Sequence, residues 1–145
     1  LNKEEEYSKS TAYADSKMAN LIYAKELDKR FKQKEVNSKA LSAHPGFAST
    51  NLQIRSAKKS GRMLKLAGMK VANRLIAQPP EKGALPILYA ATEELEGGEF
   101  IGPSGFKQLR GPPKKVEPDK RADNQKLREK LWKFSEEELG IKFKL

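Results

Sequence analysis

The chain has 145 residues, enough for one domain with a modest core and too few for two. Lysine and arginine number 29 against 19 acidic residues, a net charge of +10, and the absence of cysteine excludes disulfides, thiolate metal sites and a cysteine nucleophile. No apolar run nears the ~18 residues of a membrane-spanning helix, and the opening LNKEEEYSK is charged where a signal peptide is apolar, so a cytoplasmic location is expected.

Residues 10–34 predict a first helix, capped by Ser10 or Thr11, with Met18, Leu21, Ile22, Leu27 and Phe31 on its apolar side. Asp15, Lys25, Glu26, Lys29, Arg30 and Lys32 supply its wet side. Residues 33–38 form the exit loop, and Ala40 to Ala43 read as a short buried strand stopped by Pro45-Gly46. A basic stretch follows, RSAKKSGRMLKLAGMKVANRLIA, helical by spacing and interrupted by Gly61 and Gly68. Pro79-Pro80 open a second regular helix ending before Gly97-Gly98, and Pro86 marks where it kinks or truly begins. Glu99 to Ile101 read as a second strand, LRGPPKKVEP as a connector, and about 119–139 as an amphipathic helix. That last helix turns Leu127, Leu131, Phe134 and Trp132 inward, and Gly140 ends it.

Strands separated by helices argue for a parallel sheet with crossovers. Two strands cannot form a stable open sheet alone, so the chain reads as half of an α/β domain. The other half is expected upstream of Leu1, a first residue that is not Met.

The pair that carries chemistry is Tyr13 and Lys17, four apart and so on one helical face. A phenol beside an ammonium is an ordinary surface pair in many helices; as chemistry, the cation favours the phenolate and makes the phenol a better acid. Context favours the chemical reading. The strand after the helix ends in HPGFAST, which brings a Pro-Gly turn and Thr50 to the carboxyl end of a strand, where open α/β sheets place ligands.

Together, YADSKMANLIYAKEL, HPGFASTNL and GGEFIGPSGF resemble the second half of a short-chain dehydrogenase/reductase, with kin among retinol-dehydrogenase-like and WW-domain-oxidoreductase-like members. The resemblance implies the C-terminal half of a doubly wound, Rossmann-like parallel-sheet domain whose N-terminal cofactor-binding half is absent. It implies NAD(P)-dependent interconversion of a carbonyl and an alcohol, with a small apolar substrate. Tyr13 matches the family's general acid/base and Lys17 the lysine that binds the nicotinamide ribose. Pro45 and Gly46 match the turn against the nicotinamide, Thr50 the residue holding its carboxamide, and residues about 53–78 the substrate lid. The family's catalytic serine, its Gly-rich pyrophosphate turn and the residue choosing NADP or NAD fall upstream, so the missing half of the domain is an expected partner.

From Leu41 to Pro80 there are seven lysines and arginines and no acidic residue. A cationic lid explains this better than nucleic-acid binding, because no aromatic interleaves the basic residues. Peripheral membrane contact stays open, since Met63, Leu64, Ala67, Val71 and Leu75 form an apolar stripe. His44, the only histidine, is no metal site and is expected to cap the strand end. Tyr23 and Trp132 are expected in the core, and Glu93-Glu94 and Glu136 to Glu138 as solvated helix ends. The alternative from a different class is a non-catalytic remnant of the family that acts as an interaction module.

Overall fold

A computed structural model describes residues 7–47 and 78–145. Its elements are α1 (Lys9–Gln33), β1 (Ser42–Ala43), α2 (Pro80–Thr92), β2 (Phe100–Pro103), β3 (Pro113–Lys115) and α3 (Gln125–Leu139). Short 3-10 turns sit at Phe106–Gln108 and Lys120–Asp123. The architecture is that of one half of a doubly wound α/β domain. The described residues fall into two compact units: 7–42 with 96–99 and 118–145, and 43–47 with 78–95 and 100–117.

In the first unit α1 packs against α3 and the 3-10 turn before it. The helix starts earlier than its capping residues suggest: Ser8 is the N-cap, its side chain makes no capping bond, and Ser8 Oγ lies 2.9 Å from Ser10 Oγ instead. Leu21 and Ile22 are buried as expected, but so are two carboxylates. Glu26, expected on the wet side, is 2% exposed and accepts from Arg30 Nε at 2.9 Å. Helical periodicity misplaced it because Arg30 covers it. The Arg30 guanidinium lies 4.2 Å from the centroid of the Trp132 ring, and Trp132 stacks on Tyr23 at 4.7 Å. Phe143 meets Trp132 edge-on at 5.5 Å.

Asp28 is the second buried carboxylate. Its Oδ1 accepts from Ala40 N at 3.2 Å, and its Oδ2 pairs with Lys32 Nζ at 2.8 Å. Lys32 Nζ also donates to Gly97 O at 3.1 Å, and Gly98 N donates to Ala40 O at 2.8 Å. One carboxylate thus ties α1 to the segment before β1 and to the loop before β2. Residue 97 has to be glycine, because a Cβ there would fall 1.7 Å from Asp28 Oδ1.

The C-terminal helix begins later than expected: Lys120–Asp123 form a 3-10 turn, and α3 starts at Gln125 with Asn124 Oδ1 accepting from Leu127 N at 3.1 Å. Gly140, at φ +64°, ends it as expected. Of the residues expected inward on α3, Trp132 alone is fully buried; Leu127 and Phe134 are 37% and 42% exposed. They line, with Met18, Ile22 and Leu131, a groove of about 400 Å³ between α1 and α3.

The sheet has the order β1-β2-β3. Its first ladder consists of Ser42 N to Glu99 O at 3.0 Å and His44 N to Ile101 O at 2.9 Å, with residue numbers rising together as in parallel strands. The expected strands at 40–43 and 99–101 are observed as Ser42–Ala43 and Phe100–Pro103. The connector reading of LRGPPKKVEP is corrected: it contains β3, antiparallel to β2 in the register Ile101↔Lys115 and Gly102↔Lys114. Its prolines hid it, since a strand needing donors along both edges excludes them. In the second unit α2 packs against β2 and β3. It ends at Thr92, begins at Pro80 in the N1 region, and buries Gly83 and Pro86 on one face. Pro86 therefore neither starts nor stops the helix; it sits inside it, fully buried.

Asp28→Ala is expected to destabilise the protein by about 2 kcal/mol, because it strands the buried Ala40 amide and the charge of Lys32. Gly97→Ala should cost a similar amount alone and much less in the Asp28→Ala background. Urea unfolding of the two single variants and the double variant measures that coupling.

Candidate functional site

Tyr13 and Lys17 stand in the N-terminal half of α1, one turn apart, as i,i+4 spacing requires. The helix brings them together: Lys17 Nζ lies 5.4 Å from the centroid of the Tyr13 ring. Both are exposed, Tyr13 at 59%, so an exogenous molecule can reach the phenol and the ammonium. Ser16, between them, donates Oγ to Tyr13 O at 2.7 Å and belongs to the backbone of the helix.

The other candidate residues lie in the second unit, in the turn that follows β1. Gly46 has φ +65°, and a Cβ there would come within 2.6 Å of Leu109 O and 2.7 Å of Pro103 Cγ, so glycine is required on both counts. Phe47 N donates to Leu109 O at 2.7 Å. Gln78, 3% exposed, donates Nε2 to Pro45 O at 2.7 Å and accepts from Gly111 N at 3.3 Å. Pro45 keeps an exposed, apolar ring.

His44 braces this turn from the strand side. Its Nδ1 accepts from Gly46 N at 3.2 Å, and its Nε2 lies 2.9 Å from Gln108 Oε1. The ring stacks on Phe100 at 5.0 Å and fills the space above Gly102, where a Cβ would fall 2.1 Å from Nε2. Burial pushes the His44 imidazole below its ordinary value, against the opposing effect of the Gln108 hydrogen bond. The expected strand-end role of His44 is observed.

Thr50 and residues 53–77 of the expected lid, with the basic stretch, lie outside the described residues. Gln78, at the approximate end of that lid, is buried and bonded into the Pro45–Gly46 turn. Sequence reasoning missed Gln78 and Gln108, because a glutamine in a proline- or glycine-rich stretch carries no pattern until its partners are known. No group of His, Cys, Asp and Glu suited to a metal ion occurs among the described residues. No described helix is long and apolar enough to cross a membrane.

No protein-family model matches the chain. Among curated proteins it is 31% identical to human retinol dehydrogenase 14 over 97% of its own length and 39% of the relative's. It is 29% identical to the chloroplastic short-chain dehydrogenase TIC 32 B of Brassica napus, over 93% of the chain and 38% of that protein. The crystal structure of an uncharacterized protein from Mycobacterium paratuberculosis superposes with a TM-score of 0.71 at 30% identity, covering 97% of this chain and 42% of that one. The fold is that of part of an α/β domain, and the curated relatives are named as dehydrogenases of one oxidoreductase family. The chain belongs to the short-chain dehydrogenase/reductase family, and it spans about two fifths of the length of the relatives it matches.

The sign of the pH dependence follows from His44. The folded state resists protonating it, whereas the unfolded chain takes up the proton as pH falls below about 6.5. Stability contributed by neutral His44 is thus intact above that pH and declines below it, until the lowered folded value is passed. The urea midpoint should drop between pH 7.5 and pH 5.5, and that part of the drop should be absent in His44→Asn. Gly46→Ala should lower the midpoint at every pH, by about 2 kcal/mol or more in stability, from left-handed strain and the clash with Leu109 O.

Proposed function

We propose that this chain supplies the catalytic helix and the nicotinamide-side turn of an NAD(P)-dependent oxidoreductase that interconverts a carbonyl and an alcohol. The observation that carries the reading is the exposed Tyr13–Lys17 pair on one face of α1 in a chain of this family. The donor set fits the ribose end of a nicotinamide cofactor: an ammonium and a phenol on one accessible face suit its hydroxyls, and the exposed ring of Pro45 suits an aromatic plane. NADP or NAD, when bound, supplies or takes the hydride. Tyr13 Oη gives its proton to the carbonyl oxygen in reduction and takes the hydroxyl proton in oxidation. Lys17 hydrogen-bonds the ribose. Pro45 and Gly46 present backbone and an apolar ring to the nicotinamide, and Thr50 holds its carboxamide.

The substrate class that suits this reading is a small apolar carbonyl compound or alcohol, beneath a lid at about residues 53–78. The N-terminal half of the domain is the proposed partner. Exposed Leu85, Ile87 and Leu88 on α2, at 40%, 53% and 55%, support a further apolar contact there. The proposed location is the cytoplasm, with peripheral membrane contact through the basic stretch as a secondary possibility and nucleic acid set aside. The second reading is a non-catalytic interaction module of the same family.

In the protein that carries this chain joined to the upstream half, Tyr13→Phe should reduce carbonyl turnover 10²–10⁴-fold, roughly the contribution of one positioned acid/base. NADPH binding, followed by nicotinamide fluorescence, should persist. Unchanged turnover would refute the role of Tyr13, and absence of any NADPH or NADH signal would favour the interaction module.

A further inference from the structure

The relay Gly46–His44–Gln108 does more than close a turn. A bond from Gly46 N–H to His44 Nδ1 requires that nitrogen to be unprotonated, so the ring's hydrogen sits on Nε2 and is donated to Gln108 Oε1. Gln108 is itself oriented: its Nε2 donates to Glu117 O at 3.2 Å, which turns Oε1 toward the histidine. Gln108 and Lys107 both hold left-handed backbone, at φ +56° and +49°. Each costs of the order of 1 kcal/mol or more for a residue with a side chain, and such strain persists only where the surroundings enforce it. The bond from Gln108 N to Gly105 O at 2.9 Å is one of the enforcing contacts.

The geometry points to His44 as a positioning residue for the Pro45–Gly46 turn, with Gln108 fixing its tautomer, so that protonation of His44 releases Gly46 and weakens nicotinamide-cofactor binding. This rests on the reading of the turn as the cofactor's seat. A second proton on Nδ1 would point at the Gly46 N–H, turning an acceptor into an opposing donor. The turn's other ties, at Pro45 O and at both backbone groups of Phe47, do not involve the imidazole and would hold its ends. The movement is therefore confined to Gly46. Around the ring, Phe100, Gly102 and Val116 carry no charge, and Lys114, paired with Gly102, is the charged residue of β3 on that face of the sheet. Lys107 precedes Gln108 in the 3-10 turn, and Glu117 meets the relay through its backbone carbonyl. No carboxylate among the described residues pairs with His44, which leaves burial and Gln108 to set its protonation.

Asparagine is the discriminating substitution. Its carboxamide oxygen can accept from the N–H two residues on, as in an Asx turn, and it does not titrate. Two measurements on the intact protein test the proposal. The first needs no cofactor: the Gly46 amide resonance is followed with pH by NMR beside the His44 ring protons. The expected result is that both move with one midpoint, below the ordinary histidine range, and that Gln108→Glu raises that midpoint. The second is steady-state kinetics with NADPH and NADH. KM for the cofactor should rise about tenfold in His44→Phe, the effect of one lost hydrogen bond, with kcat less affected. His44→Asn should recover that KM and flatten its rise at acid pH. A Gly46 amide that ignores the His44 titration, or a His44→Asn variant as impaired as His44→Phe, would overturn the proposal. Coupled titration in a protein that binds neither cofactor would leave His44's hold on the turn intact while refuting its link to cofactor binding and the functional reading beneath it.

Discussion

In the unit that bears Tyr13, everything is arranged around a buried negative charge. An ionised carboxylate removed from water must find donors or change its protonation, and few geometries offer enough of them. Asp28 finds the Ala40 amide and the Lys32 ammonium, and Lys32 in turn reaches Gly97 O. Satisfying that one group brings together α1, the segment leading to β1 and the loop leading to β2. It also dictates glycine at 97, since the carboxylate occupies the volume a side chain would need.

In the same unit a polar and aromatic cluster adds to the buried aliphatic residues Leu21 and Ile22. Glu26 neutralises Arg30, Arg30 lies over Trp132, and Trp132 meets Tyr23 and Phe143. The guanidinium suits this place because it is planar, weakly hydrated and able to stack while still donating to a carboxylate. At the end of α3, Glu136 accepts from Phe143 N at 3.0 Å. That bond above all holds its carboxyl below the usual range. The C-terminal segment is thereby folded back onto the helix.

In the other unit the governing constraint is space above the sheet. Gly102 leaves room for the His44 ring, Phe100 stacks against it, and the ring meets the backbone of the very turn that its strand leads into. Two glutamines distant in sequence, Gln78 and Gln108, complete the bracing of this turn.

The sequence by itself determined the three described α-helices, the place of the first two strands beside them, the shared face of Tyr13 and Lys17, and the family. These are local matters: a spacing of four is a fact of helical geometry, and Pro45-Gly46 and Gly140 encode their turns in their own backbone preferences. Only the tertiary structure decided that Glu26 and Asp28 are buried, that the proline-rich connector contains β3, that Pro86 lies within α2, and that His44 meets both Gln108 and the Gly46 amide. Periodicity assigns a charged residue to water unless a donor is known to wait for it. A proline likewise rules out a strand unless the edge it occupies needs no donor. In each case the deciding partner is distant in sequence, and distance along the chain carries no signal until folding has removed it.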